Sequence, residues 1–233
     1  MTMRRGLFGG TFDPPHIGHL MIMDQVAEAL DLGAMMMIPC ANPPHRDPPY
    51  ASFRTRLDMC RIALSGYCKP FGTQFMTNDI EGRMAGTSYS WEMIRAIKNE
   101  EEPDCKREGV GLDLFLVMGE DEFVSLPSWK EPDRIVEQCN IVCANRPFVS
   151  IHRREHLMEH ERATFIDVDG AGGISSTMIR RRLAEGRSIK HLVPDGVATI
   201  IYTCGLYGAE TSADFVKRTM GLDIHGLVDE HLW

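Results

Sequence analysis

The run Gly9-Gly10-Thr11-Phe12-Asp13-Pro14-Pro15-His16-Ile17-Gly18-His19 constrains this chain more than any other stretch. It follows Arg5-Gly6-Leu7-Phe8, which reads as a short buried strand. It precedes Leu20, Met23, Ala27 and Leu30, which recur at helical spacing. A strand that passes through glycines into a helix is where an α/β protein holds phosphates. Glycine lets the backbone approach a ligand that a Cβ would block. The helix start adds N–H groups and the positive end of a dipole, both of which favour an anion. His16 and His19 are three residues apart and share a face. The glycines fall at 6, 9, 10 and 18, so this is not the dinucleotide fingerprint G-x-G-x-x-G. Taken alone, the run also fits a tight turn with two surface histidines.

Strand-like and helical patterns alternate along the rest of the chain. Strands are expected at Ala34–Ile38, Phe75–Ile80, Leu112–Met118, Ile141–Ala144 and Thr164–Val168. Helices are expected at Phe53–Leu64, Ser88–Lys98, Ser176–Glu185 and Asp195–Tyr202, with Pro39–Pro49 and the charged Glu100–Glu108 as loops. This order predicts an α/β fold, a Rossmann-like doubly wound parallel sheet in three α/β/α layers. Ligands in such sheets bind at the carboxyl ends of the strands. Residues 1–208 are expected to form that domain. Residues 209–233 read as a C-terminal extension, helical through Phe215, Val216, Met220 and Leu222.

Composition narrows the function. A net charge of −8 over 233 residues argues against a broad nucleic-acid surface, while leaving room for a local basic pocket. The 7 cysteines form no C-x-x-C pair, which suggests reduced thiols and a cytoplasmic protein. The first residues lead straight into a strand, and no apolar run is long enough to span a membrane, so neither a signal peptide nor a membrane partner is expected. No cluster of carboxylates reads as a dedicated metal cage.

A second signal lies at Ile174-Ser175-Ser176-Thr177-Met178-Ile179-Arg180. Ser175 or Ser176 is a natural N-cap, and Ile179 with Leu183 supplies a buried helix face. Helical side chains lean towards the N-terminus, so Arg180 can return to the hydroxyl-rich start of its own helix. Hydroxyls with an arginine one turn in make a phosphate cradle. The competing reading is an ordinary capped surface helix with solvated arginines.

In this order the glycine-rich run and His-x-Gly-His resemble the nucleotidyltransferase superfamily. With Pro44-His45, Thr87-Ser88-Tyr89-Ser90, Gly119-Glu120-Asp121, Trp129, Asn145-Arg146-Pro147, Ser175-Ser176-Thr177 with Arg180, and His191-Leu192-Val193-Pro194, the chain resembles the bacterial nicotinate-nucleotide adenylyltransferases over about residues 4–208. Arg46 stands where that family usually has lysine, and Gly170–Gly173 is richer in glycine than the family pattern. The resemblance implies that nicotinate mononucleotide attacks the α-phosphate of ATP, giving deamido-NAD and pyrophosphate, with Mg²⁺ carried on the ATP phosphates. It implies His16, His19 and Arg180 as catalytic residues. It places ATP on Gly9, Gly10, Thr11, Phe12, Gly119, Asp121, Ser175, Ser176 and Thr177. It places the mononucleotide on Asp13, His45, Arg46, Thr87, Tyr89, Trp129 and Arg146. A homo-oligomer is left open. Two alternatives also stay open, the same chemistry on nicotinamide mononucleotide and a non-catalytic nucleotide sensor on this fold.

Overall fold

The structure is a computed structural model that describes residues 2–43, 47–65, 72–84, 86–145, 163–211 and 213–214. Six strands are described: β1 (Thr2–Gly10), β2 (Ala34–Pro39), β3 (Gln74–Thr77), β4 (Gly111–Gly119), β5 (Asn140–Asn145) and β6 (Ala163–Asp167). All pair in parallel, in the order β3-β2-β1-β4-β5-β6. This is the doubly wound arrangement expected from the sequence. The strand order reverses between β1 and β4, and sheets of this kind take their ligands in the crevice beyond the carboxyl ends of the strands at such a point. Gly9-Gly10 ends one of these two strands and Gly119 ends the other.

The helices are α1 (Ile17–Ala29), α2 (Phe53–Ser65), α3 (Ile80–Arg83), α4 (Ser90–Glu108), α5 (Glu120–Ser125), α6 (Pro132–Gln138), α7 (Ser176–Ala184) and α8 (Asp195–Thr203). Successive strand residues point to opposite faces of a sheet. Phe8, Met35, Met37, Val117 and Val142 therefore pack with α1, α2, α7 and α8. Leu7, Met36, Ile38, Leu116 and Ile141 pack on the other side with Ile80, Ile94, Phe123 and Ile135. Two apolar layers sandwich the sheet, which is why its central strands read as unbroken hydrophobic runs.

Two expectations need correction. The third strand stops at Thr77 rather than Ile80. The Asn78 side chain accepts from the Ile80 N–H at 2.9 Å and turns the chain into α3. The charged stretch 100–108 is helix, not loop: α4 runs on to Glu108 through Pro103. A proline inside a helix costs roughly 3 kcal/mol. Tertiary anchors offset it here. Cys105 is buried, and Arg5 on β1 pairs with Glu101 at 2.9 Å. Lys106 and Lys98 flank Glu102 one turn either way, at 3.0 and 3.9 Å, and Gly109 closes the helix at φ 69. The helix expected beyond residue 214 lies outside the described residues. No described helix is long and apolar enough to cross a membrane.

Candidate active site

The β1–α1 corner is built on aromatic contacts around one imidazole. Phe12 takes φ 49, a backbone conformation that costs energy for a residue with a side chain. That geometry folds the Phe12 ring back over Gly10, where a Cβ would lie only 2.9 Å from it. Gly10 is thus needed for internal packing. Gly9 is the residue that faces open space, with nothing within 4 Å of a Cβ position. Phe12 meets the His19 ring edge-on at 4.9 Å, and Phe8 meets it at 6.0 Å. His16 stacks on His19 at 3.5 Å with the planes 17° apart. Gly18 permits that stack, since a Cβ there would sit 3.1 Å from His16 Nδ1.

A backbone hydrogen bond fixes the tautomer of His19. The His16 backbone N–H donates to His19 Nδ1 at 3.2 Å. Nδ1 is therefore an acceptor, and in the neutral ring the proton sits on Nε2 as a donor. His16 is the N-cap of α1 and only 2% exposed, so it supports the His19 ring from beneath. The backbone contributes less at this helix start than the sequence suggested. The Ile17 N–H donates to Leu192 O at 3.0 Å, and the His19 N–H returns to His16 O at 2.9 Å.

The second corner closes onto the first. Ser175 caps α7 by accepting from the Met178 N–H at 3.2 Å. The Ser176 hydroxyl donates to Pro14 O at 2.8 Å, and Arg180 Nη1 donates to Asp13 O at 2.8 Å. Arg180 Nη2 reaches Thr177 Oγ1 at 3.2 Å, and its guanidinium lies 4.9 Å over the Tyr50 ring. Imidazole pair and guanidinium thus share the crevice at the β1 end, although their motifs lie some 160 residues apart. Ser175 and Ser176 spend their hydroxyls within the protein. The capped Met178 N–H is likewise spent, which leaves the Ser176 and Thr177 amides and the exposed Thr177 side chain at the start of α7.

Asp13 is 3% exposed, and its carboxylate is spent inside the protein. It accepts from the Tyr50 N–H at 2.7 Å, the Ala51 N–H at 3.2 Å and the Tyr207 hydroxyl at 2.6 Å. Arg56, 1% exposed, donates to Thr11 O at 2.7 Å and Ala51 O at 3.2 Å. Burial pulls its guanidinium below the ordinary arginine value, and the charge of Asp13 pushes it back up. Burial and the bond to Asp13 hold the Tyr207 phenol far above its ordinary value, so it stays a donor.

The motif reading missed Arg56, Tyr207 and Glu81. One clue was available for Arg56: it lies three residues after Phe53 and four before Cys60, on the inward stripe of α2. Glu81, 7% exposed, ties the Ala41 N–H at 3.0 Å to the Ser88 hydroxyl. It thereby joins the β2 exit to the start of α4, where Thr87 is exposed and Tyr89 is the N-cap. Gly119 is the N-cap of α5, and Asp121 is exposed in its first turn. Trp129 is half-buried against the core, with Nε1 on Ser125 Oγ at 3.0 Å. His45, Arg46 and Arg146 lie outside the described residues.

Comparison with known proteins identifies the family. Residues 7–182 match the cytidylyltransferase-like family model. A Rubrobacter xylanophilus protein named "Probable nicotinate-nucleotide adenylyltransferase" is 34% identical over 94% of this chain and 96% of its own. A Methylococcus capsulatus protein of the same name is 36% identical over 87% of this chain and 98% of its own. The fold also matches Plasmodium falciparum nicotinic acid mononucleotide adenylyltransferase complexed with NaAD. That match has a TM-score of 0.73 and 17% identity, and covers 88% of this chain and 98% of the other. The same enzyme complexed with APC matches with a TM-score of 0.71. By residues 7–182 and by its curated relatives, the chain belongs to the cytidylyltransferase-like family and, within it, to the nicotinate-nucleotide adenylyltransferases.

Proposed function

We infer that this protein joins nicotinate mononucleotide to ATP, forming deamido-NAD and pyrophosphate. The observation that carries the reading is the seating of Arg180 and Ser176 on the carbonyls of Asp13 and Pro14. It puts a guanidinium beside the loop that presents His19, as a bound triphosphate requires. The mononucleotide phosphate is already largely dianionic near neutral pH, since its second pKa is about 6. It needs no general base. The obstacle is bringing two anions into line, so catalysis consists of positioning and charge neutralisation.

In this reading a mononucleotide phosphate oxygen attacks the α-phosphorus of ATP. A new P–O bond forms, the α–β bridging bond breaks, and pyrophosphate leaves with the bond's electrons. His19 donates from Nε2 to an α-phosphate oxygen, and His16 holds that ring in place. Arg180, Thr177 and the backbone N–H groups of Ser176 and Thr177 hold the β- and γ-phosphates. Ser175 and Ser176 act by shaping that turn. Gly9 gives the triphosphate room, and Gly10, Thr11 and Phe12 shape the loop beneath it. Gly119 and Asp121 face the ribose of ATP. Thr87, Tyr89 and Trp129 receive the nicotinate ring, and His45, Arg46 and Arg146 neutralise phosphate. Asp13 serves the mononucleotide indirectly, by fixing the loop.

Mg²⁺ belongs to this reading as a passenger of ATP. The side chains at the two corners are imidazoles, a guanidinium and hydroxyls, which suit phosphate oxygens better than a bare divalent ion. When bound, Mg²⁺ neutralises triphosphate charge, with phosphate and water oxygens as its ligands.

Initial rates with ATP and each pyridine mononucleotide test the function. The acid is expected to be used at least tenfold more efficiently than the amide, with the product's mass that of deamido-NAD. Equal or better use of nicotinamide mononucleotide would contradict the substrate assignment. No pyrophosphate release with either would contradict catalysis and favour a sensor.

A further inference from the structure

We propose that Tyr207 is a positioning residue of the reaction, acting through Asp13 to set the seat of the Arg180 guanidinium. This rests on the adenylyltransfer reading above. Asp13 has two polar ends, and each faces a different task. Its carboxylate is buried on the Tyr50 N–H, the Ala51 N–H and the Tyr207 hydroxyl. Its backbone carbonyl, on the crevice side, receives Arg180 Nη1 at 2.8 Å. The three bonds to the carboxylate pin the side chain and, through Cα, restrict the carbonyl on which the guanidinium rests.

The Tyr207 hydroxyl makes the shortest of the three bonds, at 2.6 Å, and it alone comes from a side chain. The other two donors belong to one adjacent backbone segment. Tyr207 arrives from a separate part of the chain, 194 residues away in sequence. The chain accepts strain to deliver it. Tyr207 takes φ 59 in the turn Leu206–Gly208, between Gly205 at φ 60 and Gly208 at φ 77. A bulky residue in the left-handed region persists only where its surroundings enforce it, and such residues gather at functional sites.

The same ring also meets the second support of the guanidinium, Tyr50, which is itself 76% exposed. Tyr207 meets the Tyr50 ring at 6.3 Å, and Tyr50 lies beneath Arg180 at 4.9 Å. Arg180 is thus seated on two surfaces, a carbonyl and an aromatic face, and Tyr207 touches the support of both. Arg56 completes the frame from below by fixing Thr11 O and Ala51 O. A hydroxyl at this point controls where positive charge meets the leaving pyrophosphate. It does so without touching substrate.

Tyr207→Phe removes the hydroxyl and keeps the ring. It is expected to lower kcat about tenfold, since small displacements of positioning groups carry such costs. KM for ATP should change less than twofold, while the bond lost from a buried carboxylate lowers Tm by several degrees. In an Arg180→Lys background, Tyr207→Phe should cost less than twofold further, because the seated fork is already gone. Asp13→Asn is the second arm. It keeps one acceptor for the phenol but turns an amide towards the Tyr50 N–H, and the same loss and the same dependence on Arg180 are expected. A full tenfold loss in both backgrounds would mark general loosening and overturn the proposal. So would wild-type kcat in Tyr207→Phe beside an active wild-type enzyme. If the wild-type protein itself makes no deamido-NAD, the parent reading fails and takes this one with it.

Discussion

His19→Ala is expected to lower kcat by about 10²–10³-fold, the usual cost of losing one donor aimed at developing charge. The expectation follows from how firmly the ring is held. Phe12, Phe8 and His16 contact it from three directions, and its Nδ1 accepts the His16 N–H. The ring is therefore held before substrate arrives, with Nε2 left as its donor, and little reorganisation is needed in the transition state. The substitution also removes one helix-capping acceptor, worth about 1 kcal/mol. That is small beside the buried face of α1, which carries Leu20, Ile22, Met23 and Val26. The fold should survive with Tm lowered by a few degrees. His19→Gln, which returns a donor near the position of Nε2, should recover part of the loss. Steady-state kinetics and thermal melts of both variants decide the matter. A His19→Ala enzyme within a few-fold of wild type would remove the α-phosphate role.

Arg56→Met is expected to destabilise the protein by about 3–5 kcal/mol, the range for removing one partner from a buried charged cluster. Arg56 is 1% exposed and donates to Thr11 O and Ala51 O. Methionine fills much of the volume but leaves those carbonyls without their donor and Asp13 without its neighbouring charge. Against a typical stability of about 5–15 kcal/mol, that is a large fraction. Arg54→Met is the control on the same helix. Its side chain is 75% exposed and pairs with Asp58 at 2.9 Å. Exposed pairs are worth about 0–1 kcal/mol, so Arg54→Met should be nearly neutral. Urea unfolding of the two variants gives the contrast directly. Equal effects would mean that the Arg56 cluster contributes nothing beyond a surface charge.

Much of this architecture was legible in the residues, and the exceptions share a cause. Unbroken apolar runs such as Leu114–Met118 declare strands buried on both faces, because nothing polar could sit on either side. The two loop-to-helix corners were legible because their glycines, hydroxyls and basic residues are close in sequence. The tail of α4 was not. Its support comes from the burial of Cys105 and from Arg5, almost a hundred residues away, and local patterning sees neither. Arg56, Tyr207 and Glu81 were hidden for the same reason. Each is a single polar residue whose importance lies in distant backbone partners. The glycines were only half understood from sequence. Gly10 makes room for Phe12 rather than for a ligand, and only the folded loop reveals that.

A structure of the protein with a non-hydrolysable ATP analogue tests the central claim most directly. The account predicts His19 Nε2 within about 3 Å of an α-phosphate oxygen and the Arg180 guanidinium at the same distance from a β- or γ-oxygen of that nucleotide. A triphosphate that touches only one of the two corners, or lies away from the β1–β4 crevice, would contradict it.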